Sequence, residues 1–450
     1  MKVTTRFAPS PTGFLHIGGV RTALFNYLFA KQNNGTFVLR IEDTDKERSK
    51  EEWTDSLMED LSWLGLEHDL FFKQSDRLDI HIKALQNLIE KGFAYEAEES
   101  ERGEGKVIRF KNPKTKITFS DLIRGKVEVE TEDLGDFIIA RNMQEPLYHL
   151  AVVVDDADMN ITHVIRAEEH LSNTPRQILI QEALGFERPT YAHLPLVLAE
   201  DRSKLSKRKH GETVSLTYYR NLNYFPEALI NAVALLGWNP GDDREILSLE
   251  ELVKEFDLEK IQKGGAIFNV EKLDWVNSEH LKKLSEKEKT ESVLNYLEKF
   301  KKQNWNIESL TANSISGITE VVTERIKKWS DIKNMIENGD LDFAFETPNL
   351  DPELIKWKKD EGVAQAIKHL DEAQNILNDL EEKDFNAKIV KEKIWSYAED
   401  RGKGSVLWPL RYSLTGKEQS PDPFIVAQIL GKKETQDRWK KAKKILETKN

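Results

Sequence analysis

The stretch Ala8-Pro9-Ser10-Pro11-Thr12-Gly13 constrains this chain more than any other. Its two prolines lack backbone donors and push their preceding residues out of the α region, so the segment must be a turn or an extended loop. A β-prone run, Val3 to Phe7, leads into it. A helix follows at once: from about Ile17 to Lys31 the apolar residues Val20, Ala23, Leu24, Tyr27 and Leu28 recur at helical spacing, and Gly35 closes the element. Phe37 to Ile41 then reads as a second strand. Strand, Gly- and Pro-bearing loop, helix, strand is the opening unit of an α/β fold with a doubly wound parallel sheet, in which nucleotides bind at the C-terminal ends of the strands.

The rest of the chain adds to this unit in stages. Amphipathic patterns predict helices near Glu51 to Leu64 and Arg77 to Lys91, and the charged segment Glu96 to Lys106 interrupts the core. Val107 to Ile139 alternates in β fashion, most clearly at Val127-Glu128-Val129-Glu130, and predicts an inserted sheet-rich module. Strand-like runs at Leu150 to Val154, Ile161 to Ile165 and Leu194 to Leu198, with a helix from Thr174 to Leu184, can complete the sheet. From about Ser285 onward helical patterns dominate, which marks a separate all-helical region.

Bulk properties narrow the function. A length of 450 residues predicts two to four domains. The chain has no apolar run approaching the roughly 18 residues of a membrane helix, and its first residues lack the pattern of a signal peptide, so a cytoplasmic protein with no membrane association is expected. With no cysteine, disulfides, thiolate nucleophiles and cysteine-ligated metals are excluded. A formal net charge of −12 argues against a protein that coats nucleic acid. Basic runs at Arg202 to His210 and Lys432 to Lys449 leave room for local phosphate contacts, although interleaved acids make the second run read as a solvated helix face.

Two clusters carry chemistry. In Phe14-Leu15-His16-Ile17-Gly18-Gly19 a loop enters a helix N-terminus, and glycines without side-chain bulk let phosphate oxygens approach backbone N–H groups and the positive end of the helix. A tight turn with a capping histidine would explain a lone Gly-Gly. The two-proline loop, His16 and the preceding strand together favour a nucleotide site. In Lys204-Leu205-Ser206-Lys207-Arg208 two lysines three apart can close over a triphosphate and neutralise the leaving pyrophosphate, although a basic surface loop would account for the run by itself.

Together these residues resemble a family. Ala8 to Asn26 is similar to the first signature of the class I aminoacyl-tRNA synthetases in its bacterial glutamyl form, and Lys204 to Arg208 is similar to the second. Further similarity covers His163 to Pro175, Phe225 to Trp238, Lys272 to Trp275, Pro409 to Gly416 and Ile429 to Lys432. The resemblance implies a Rossmann-type catalytic domain (1–81 and 146–210), an inserted α+β module holding the acceptor end (82–145), a stem-contact domain (211–284) and an all-helical anticodon-binding region (285–450). It also implies glutamate, ATP with Mg2+ and tRNA(Glu) as ligands of a monomer, activation that requires bound tRNA, and acyl transfer to the 2′ hydroxyl of the terminal ribose.

A pocket for glutamate wants two cations and one anion. Arg6 and Arg166, each at the end of a strand, are the natural pair for the two carboxylates. The resemblance adds Glu42 and Ser10 near the amino group, Tyr148 beside the side chain, and Ala8 among the glutamate-binding residues. For ATP it implies His16, Gly18, Gly19, Lys204 and Lys207, with His16, Lys204 and Lys207 as the catalytic set; for an anticodon base it suggests Arg325, which otherwise reads as an exposed helix charge. The sequence departs from many relatives in lacking a cysteine cluster after Tyr95, so no zinc is expected. Gly19 replaces the second histidine of the wider signature, and Val152 stands where some members have asparagine. A non-discriminating enzyme that also charges tRNA(Gln) fits equally well. A catalytically silent RNA-binding paralogue is disfavoured by His16 and Lys207, and a truncated paralogue by the helical region.

Overall fold

A computed structural model describes residues 2–45, 47–98 and 105–448. Most of the charged segment 96–106 and Lys449 of the C-terminal basic run lie outside the described residues. The chain divides into two compact units, Met1–Asn277 and Ser278–Asn450.

The first unit is built on parallel strands. Strands β1 (Thr4–Phe7), β2 (Thr36–Ile41) and β3 (Leu70–Lys73) pair in parallel in the order β1-β2-β3, with helix α1 (Ile17–Gln32) connecting the first two and α2 (Glu51–Trp63) the next. Helix α3 (Leu78–Glu90) leads into β4 (Ala94–Glu98), which with β5 (Lys106–Phe110) and β8 (Phe137–Ala140) forms an antiparallel sheet. The hairpin β6 (Lys116–Asp121) and β7 (Gly125–Glu130) instead joins β10 (Thr190–Leu194), which runs parallel to β9 (His163–Ala167). Thr162, just before β9, donates its N–H to the Thr4 carbonyl at 3.0 Å and its hydroxyl accepts from the Thr4 N–H at 2.9 Å. The strands thus run β3-β2-β1-β9-β10, and the order reverses between β1 and β9. That is the switch point at which a doubly wound sheet opens a crevice.

Buried polar groups lock α1 across this switch point. Asn26 is fully buried; its side chain donates to the carbonyls of Thr22 at 2.8 Å and Ile165 at 2.9 Å, while its own carbonyl accepts from the Thr5 hydroxyl at 2.8 Å. One residue therefore ties the helix to both β1 and β9, and the donors it satisfies would otherwise be costly to bury. Arg21, on the same helix, is 2% exposed and donates to the carbonyls of Leu236 and Pro195.

Three local expectations are corrected. Leu150 to Val154, expected as a strand, lies inside helix α4 (Tyr148–Asp158), where every residue from Leu150 to Asp156 is buried. Burial on all sides removes the alternation that separates strand from helix, and tertiary packing overrides the β preference of three consecutive valines. The run Leu194 to Leu198 is broken: β10 ends at Leu194 and β11 (Val197–Leu198) pairs with Ala266–Ile267. Pro195 supplies no ladder donor, so the strand cannot continue through it. Lys207 begins a single helical turn, Lys207–His210, instead of continuing a loop.

The second unit is helical among its described residues, from Glu286–Phe300 to the long terminal helix Pro423–Glu447. Trp439 is 1% exposed and donates its indole N–H to the Leu410 carbonyl at 3.1 Å, fastening the last helix to its predecessor, Lys403–Thr415. The terminal helix kinks at Gly431, whose φ of 75° a residue with a Cβ adopts only under strain.

Candidate active site

At the switch point a cavity of about 380 Å³ is lined by residues from several parts of the first unit. Arg6 and the loop through Ala8, Ser10 and His16 come from the end of β1 and the start of α1; Glu42 comes from the end of β2, Tyr148 from α4, Arg166 and Glu169 from the end of β9 and beyond, and Lys204 from the second signature. Gly18 and Gly19 also line it. The structure therefore brings together every residue singled out for glutamate and all but one of those singled out for ATP. The exception is Lys207, whose ammonium lies 5.3 Å from the centre of the Phe14 ring, and Phe14 itself lines the cavity. Arg325 belongs to the other unit, exposed just past the helix Ala312–Thr323. Val152 packs in the core away from the cavity lining.

The backbone explains the assembly. Glu42 donates its N–H to the Pro9 carbonyl at 2.9 Å, and Lys50 donates to that of Pro11 at 3.2 Å, so the two-proline loop folds back against the end of β2. His16 is the N-cap of α1: the Gly19 N–H donates to its Nδ1 at 3.0 Å. An Nδ1 that accepts must be unprotonated, so the neutral ring carries its hydrogen on Nε2. Enclosure in the concave site lowers the His16 pKa; Glu169 opposes this and Lys204 adds to it. A Cβ at Gly18 would stand 3.2 Å from the His16 Nδ1, so only glycine leaves the ring undisturbed.

The charges are arranged unequally. Arg6 meets Asp156 at 3.2 Å, and Arg40 meets the same carboxylate at 2.7 Å and Glu42 at 3.0 Å, all within the buried interior. Burial pushes the Glu42 carboxyl up, against the opposing pull of Arg40 and Arg6. Arg166 is different: it is 5% exposed, donates to His193 Nε2 at 3.2 Å and to the Thr174 hydroxyl at 2.8 Å, and has no carboxylate partner among the described residues. Burial lowers its pKa, Tyr148 resists the change, and the nearby Arg6 reinforces it. A buried cation with no carboxylate in direct contact, beside an open cavity, is a site for an anion. At the rim the Lys204 ammonium is held by Glu169.

Sequence reasoning assigned no role to Asp156, Glu169, His170, Thr174, His193 or Arg21. Glu169, His170 and Thr174 lie within the similar stretch His163 to Pro175, and position at the end of a strand was the available signal. The others act through contacts distant in sequence.

Two histidines of this region impose a pH dependence. Burial first, then nearby arginines, lower the pKa values of both His149 and His170 to about 4. An unfolded chain takes up these protons near 6.5, so stability is full above that pH and is lost as pH falls towards 4. Melting temperature followed from pH 7 to 4 should fall, and His149→Phe should flatten the curve; an unchanged slope would clear His149 of any part in it.

Similarity to known proteins agrees with this geometry. Residues 2–104 and 96–275 match the catalytic domain of the class I tRNA synthetases (E and Q), and residues 288–443 match an anticodon binding domain. The chain is 40% identical to the glutamate–tRNA ligase of Aquifex aeolicus, across 97% of this chain and 98% of that protein, and 39% identical to that of Carboxydothermus hydrogenoformans over the same shares. A crystal structure of a glutamate tRNA ligase from Elizabethkingia meningosepticum in complex with its amino acid superposes with a TM-score of 0.86 at 35% identity, covering 99% of this chain and 100% of that one. With catalytic and anticodon-binding matches in the expected order and full-length relatives of one kind, the chain belongs to the glutamate–tRNA ligases of class I.

Proposed function

We propose that this protein activates L-glutamate with ATP, forming glutamyl-adenylate and pyrophosphate, and then transfers the glutamyl group to the 2′ hydroxyl of the terminal ribose of tRNA(Glu). The observation that carries this reading is Arg166, the buried guanidinium without a carboxylate partner, facing the cavity that Glu42 also lines. Arg166 and Arg6 receive the two substrate carboxylates; Glu42, Ser10 and Ala8 receive the ammonium, and Tyr148 borders the side chain. Glutamine is rejected because its amide NH₂ would meet guanidinium donors and leave buried groups unpaired.

Activation needs no general base, since the attacking α-carboxylate is ionised at neutral pH. Its oxygen attacks the α-phosphorus of ATP as the bond to pyrophosphate breaks, and the growing negative charge must be met by fixed donors. The Nε2–H of His16, the N–H groups at the start of α1, Lys204 and Lys207 supply them. Magnesium enters with ATP as part of the substrate. A cysteine-ligated zinc has no place in this reading, because the chain has no cysteine. The segment 82–145 holds the acceptor end, 211–284 the stem, and 285–450, with Arg325 as one candidate, the anticodon; the protein works as a cytoplasmic monomer.

Pyrophosphate exchange into ATP, assayed with glutamate in the presence and absence of tRNA, tests the reading directly. Glutamate-dependent exchange with tRNA is expected, and none under either condition would defeat it. Charging assays with purified tRNA(Glu) and tRNA(Gln) decide the breadth of tRNA use. Within the same assay Lys207→Ala should lower kcat by about 10²-fold while the KM for ATP changes by less than about 3-fold. A raised KM for ATP with kcat unchanged would mean that the lysine only binds nucleotide.

A further inference from the structure

Behind Arg166 lies a chain of buried polar groups that the reaction scheme does not use. Asp121, the last residue of β6, and His193 in β10 both have fully buried side chains, and the Asp121 carboxylate stands 2.6 Å from His193 Nδ1. The same carboxylate accepts backbone N–H groups from Ile123 at 2.9 Å, Arg124 at 2.8 Å and His193 at 3.0 Å. Burial pushes its pKa up, but the hydrogen bonds from His193, Arg124 and Ile123 outweigh this and hold it below the usual carboxylate range.

An ionised carboxylate only accepts, so His193 must carry its hydrogen on Nδ1. Its Nε2 is then a lone pair, and the Arg166 Nε–H donates to it at 3.2 Å. Thr174 takes the neighbouring position: its hydroxyl accepts from Arg166 Nη2 at 2.8 Å and lies within donating distance of both His193 Nε2, at 3.0 Å, and the His170 carbonyl, at 3.2 Å. One edge of the guanidinium is thereby spent on the protein, whereas Nη1 has no hydrogen bond among the described residues.

We propose that Asp121 and His193 are positioning residues for the amino-acid substrate: Asp121 sets the tautomer of His193, and His193 turns Arg166 so that its free edge meets a substrate carboxylate. This rests on the role given to Arg166 above. It also gives the inserted segment a part in the pocket. Asp121 comes from that segment, and the register of β6 with β10 consists of one pair, Tyr191 with Asp121. The one register pair between the insertion and β10 thus includes the residue that orients the arginine. A merely architectural bond there would not need the histidine to be in one tautomer.

Asp121→Asn separates the two roles, since it preserves volume and can still accept the Ile123 and Arg124 N–H groups. Its amide NH₂ would face His193 Nδ1, force the hydrogen onto Nε2 and set donor against donor at Arg166. In pyrophosphate exchange with saturating tRNA, Asp121→Asn should raise the KM for glutamate by roughly 10- to 100-fold with the KM for ATP within about 2-fold; its NH₂ also faces the His193 N–H that the carboxylate accepted at 3.0 Å, so the melting temperature should fall by a few degrees. His193→Leu should match it, and His193→Gln, which still offers Arg166 an oxygen acceptor, should recover part of the loss. If His193→Leu unfolds, Asp121→Asn decides alone. A glutamate KM within about 2-fold of wild type, or parallel changes in both KM values, would overturn the proposal. Wild-type protein inactive with glutamate would instead defeat the underlying functional reading.

Discussion

Replacing Arg166 with alanine should lower kcat/KM for glutamate by roughly 10² to 10³ in pyrophosphate exchange, because truncating one side of a buried charge pair costs about 2–5 kcal/mol. The KM for ATP should change little. Arg6→Ala should cost less in kcat/KM, because Arg6 already spends charge on Asp156, a carboxylate that Arg40 also neutralises at 2.7 Å. Arg166 has no carboxylate in direct contact to orphan, and its burial is offset within the protein only by the neutral partners His193 and Thr174 and by weaker attraction from Tyr148, Tyr191 and the more distant Asp156. Stability should therefore hold within a few degrees of wild type when melting temperatures are compared. A variant that lost stability in step with activity would make Arg166 an architectural residue and remove the main support for a glutamate site.

The second large effect concerns His16, which does two jobs that substitution can separate. Asparagine is among the best N-caps, so His16→Asn should keep the bond to the Gly19 N–H and leave the melting temperature near that of wild type. It cannot reproduce the Nε2–H, and loss of one such donor at a developing charge lowers kcat by roughly 10² to 10³. His16→Ala should show the same kinetic loss together with about 1 kcal/mol of lost stability. Near-normal turnover in His16→Asn would reduce the histidine to a helix cap. Stopped-flow measurement of adenylate formation, which isolates the chemical step, is the sharper version of this test.

How much of the site could be read in advance differs from residue to residue. His16, Gly18 and Gly19 are legible because their function is local: a loop that cannot be helical, a cap and two small residues at the start of a periodic run leave the backbone few alternatives. Arg6 and Arg166 are legible only in part. Strand-end position marks them as candidates, yet nothing nearby in sequence reveals that Arg6 is paired and Arg166 is not, since Asp156 lies 150 residues from Arg6. Arg21 looks like an exposed member of a helix face and is instead buried against two carbonyls from distant loops. Asp121 and His193 are 72 positions apart and carry no motif.

The same division holds for the fold. By itself the sequence determined the order of the first elements, the boundaries of α1 and of α5 (Thr174–Leu184), and the helical character of the second unit, because periodicity, proline and glycine act over a few residues. Only the tertiary structure decided that Leu150 to Val154 is a helix, that the β6–β7 hairpin joins the β9–β10 sheet, and that one guanidinium at the switch point is left without a carboxylate in direct contact. Burial and ion pairing are properties of neighbours in space, and a chain's local pattern does not say which distant residues those neighbours will be.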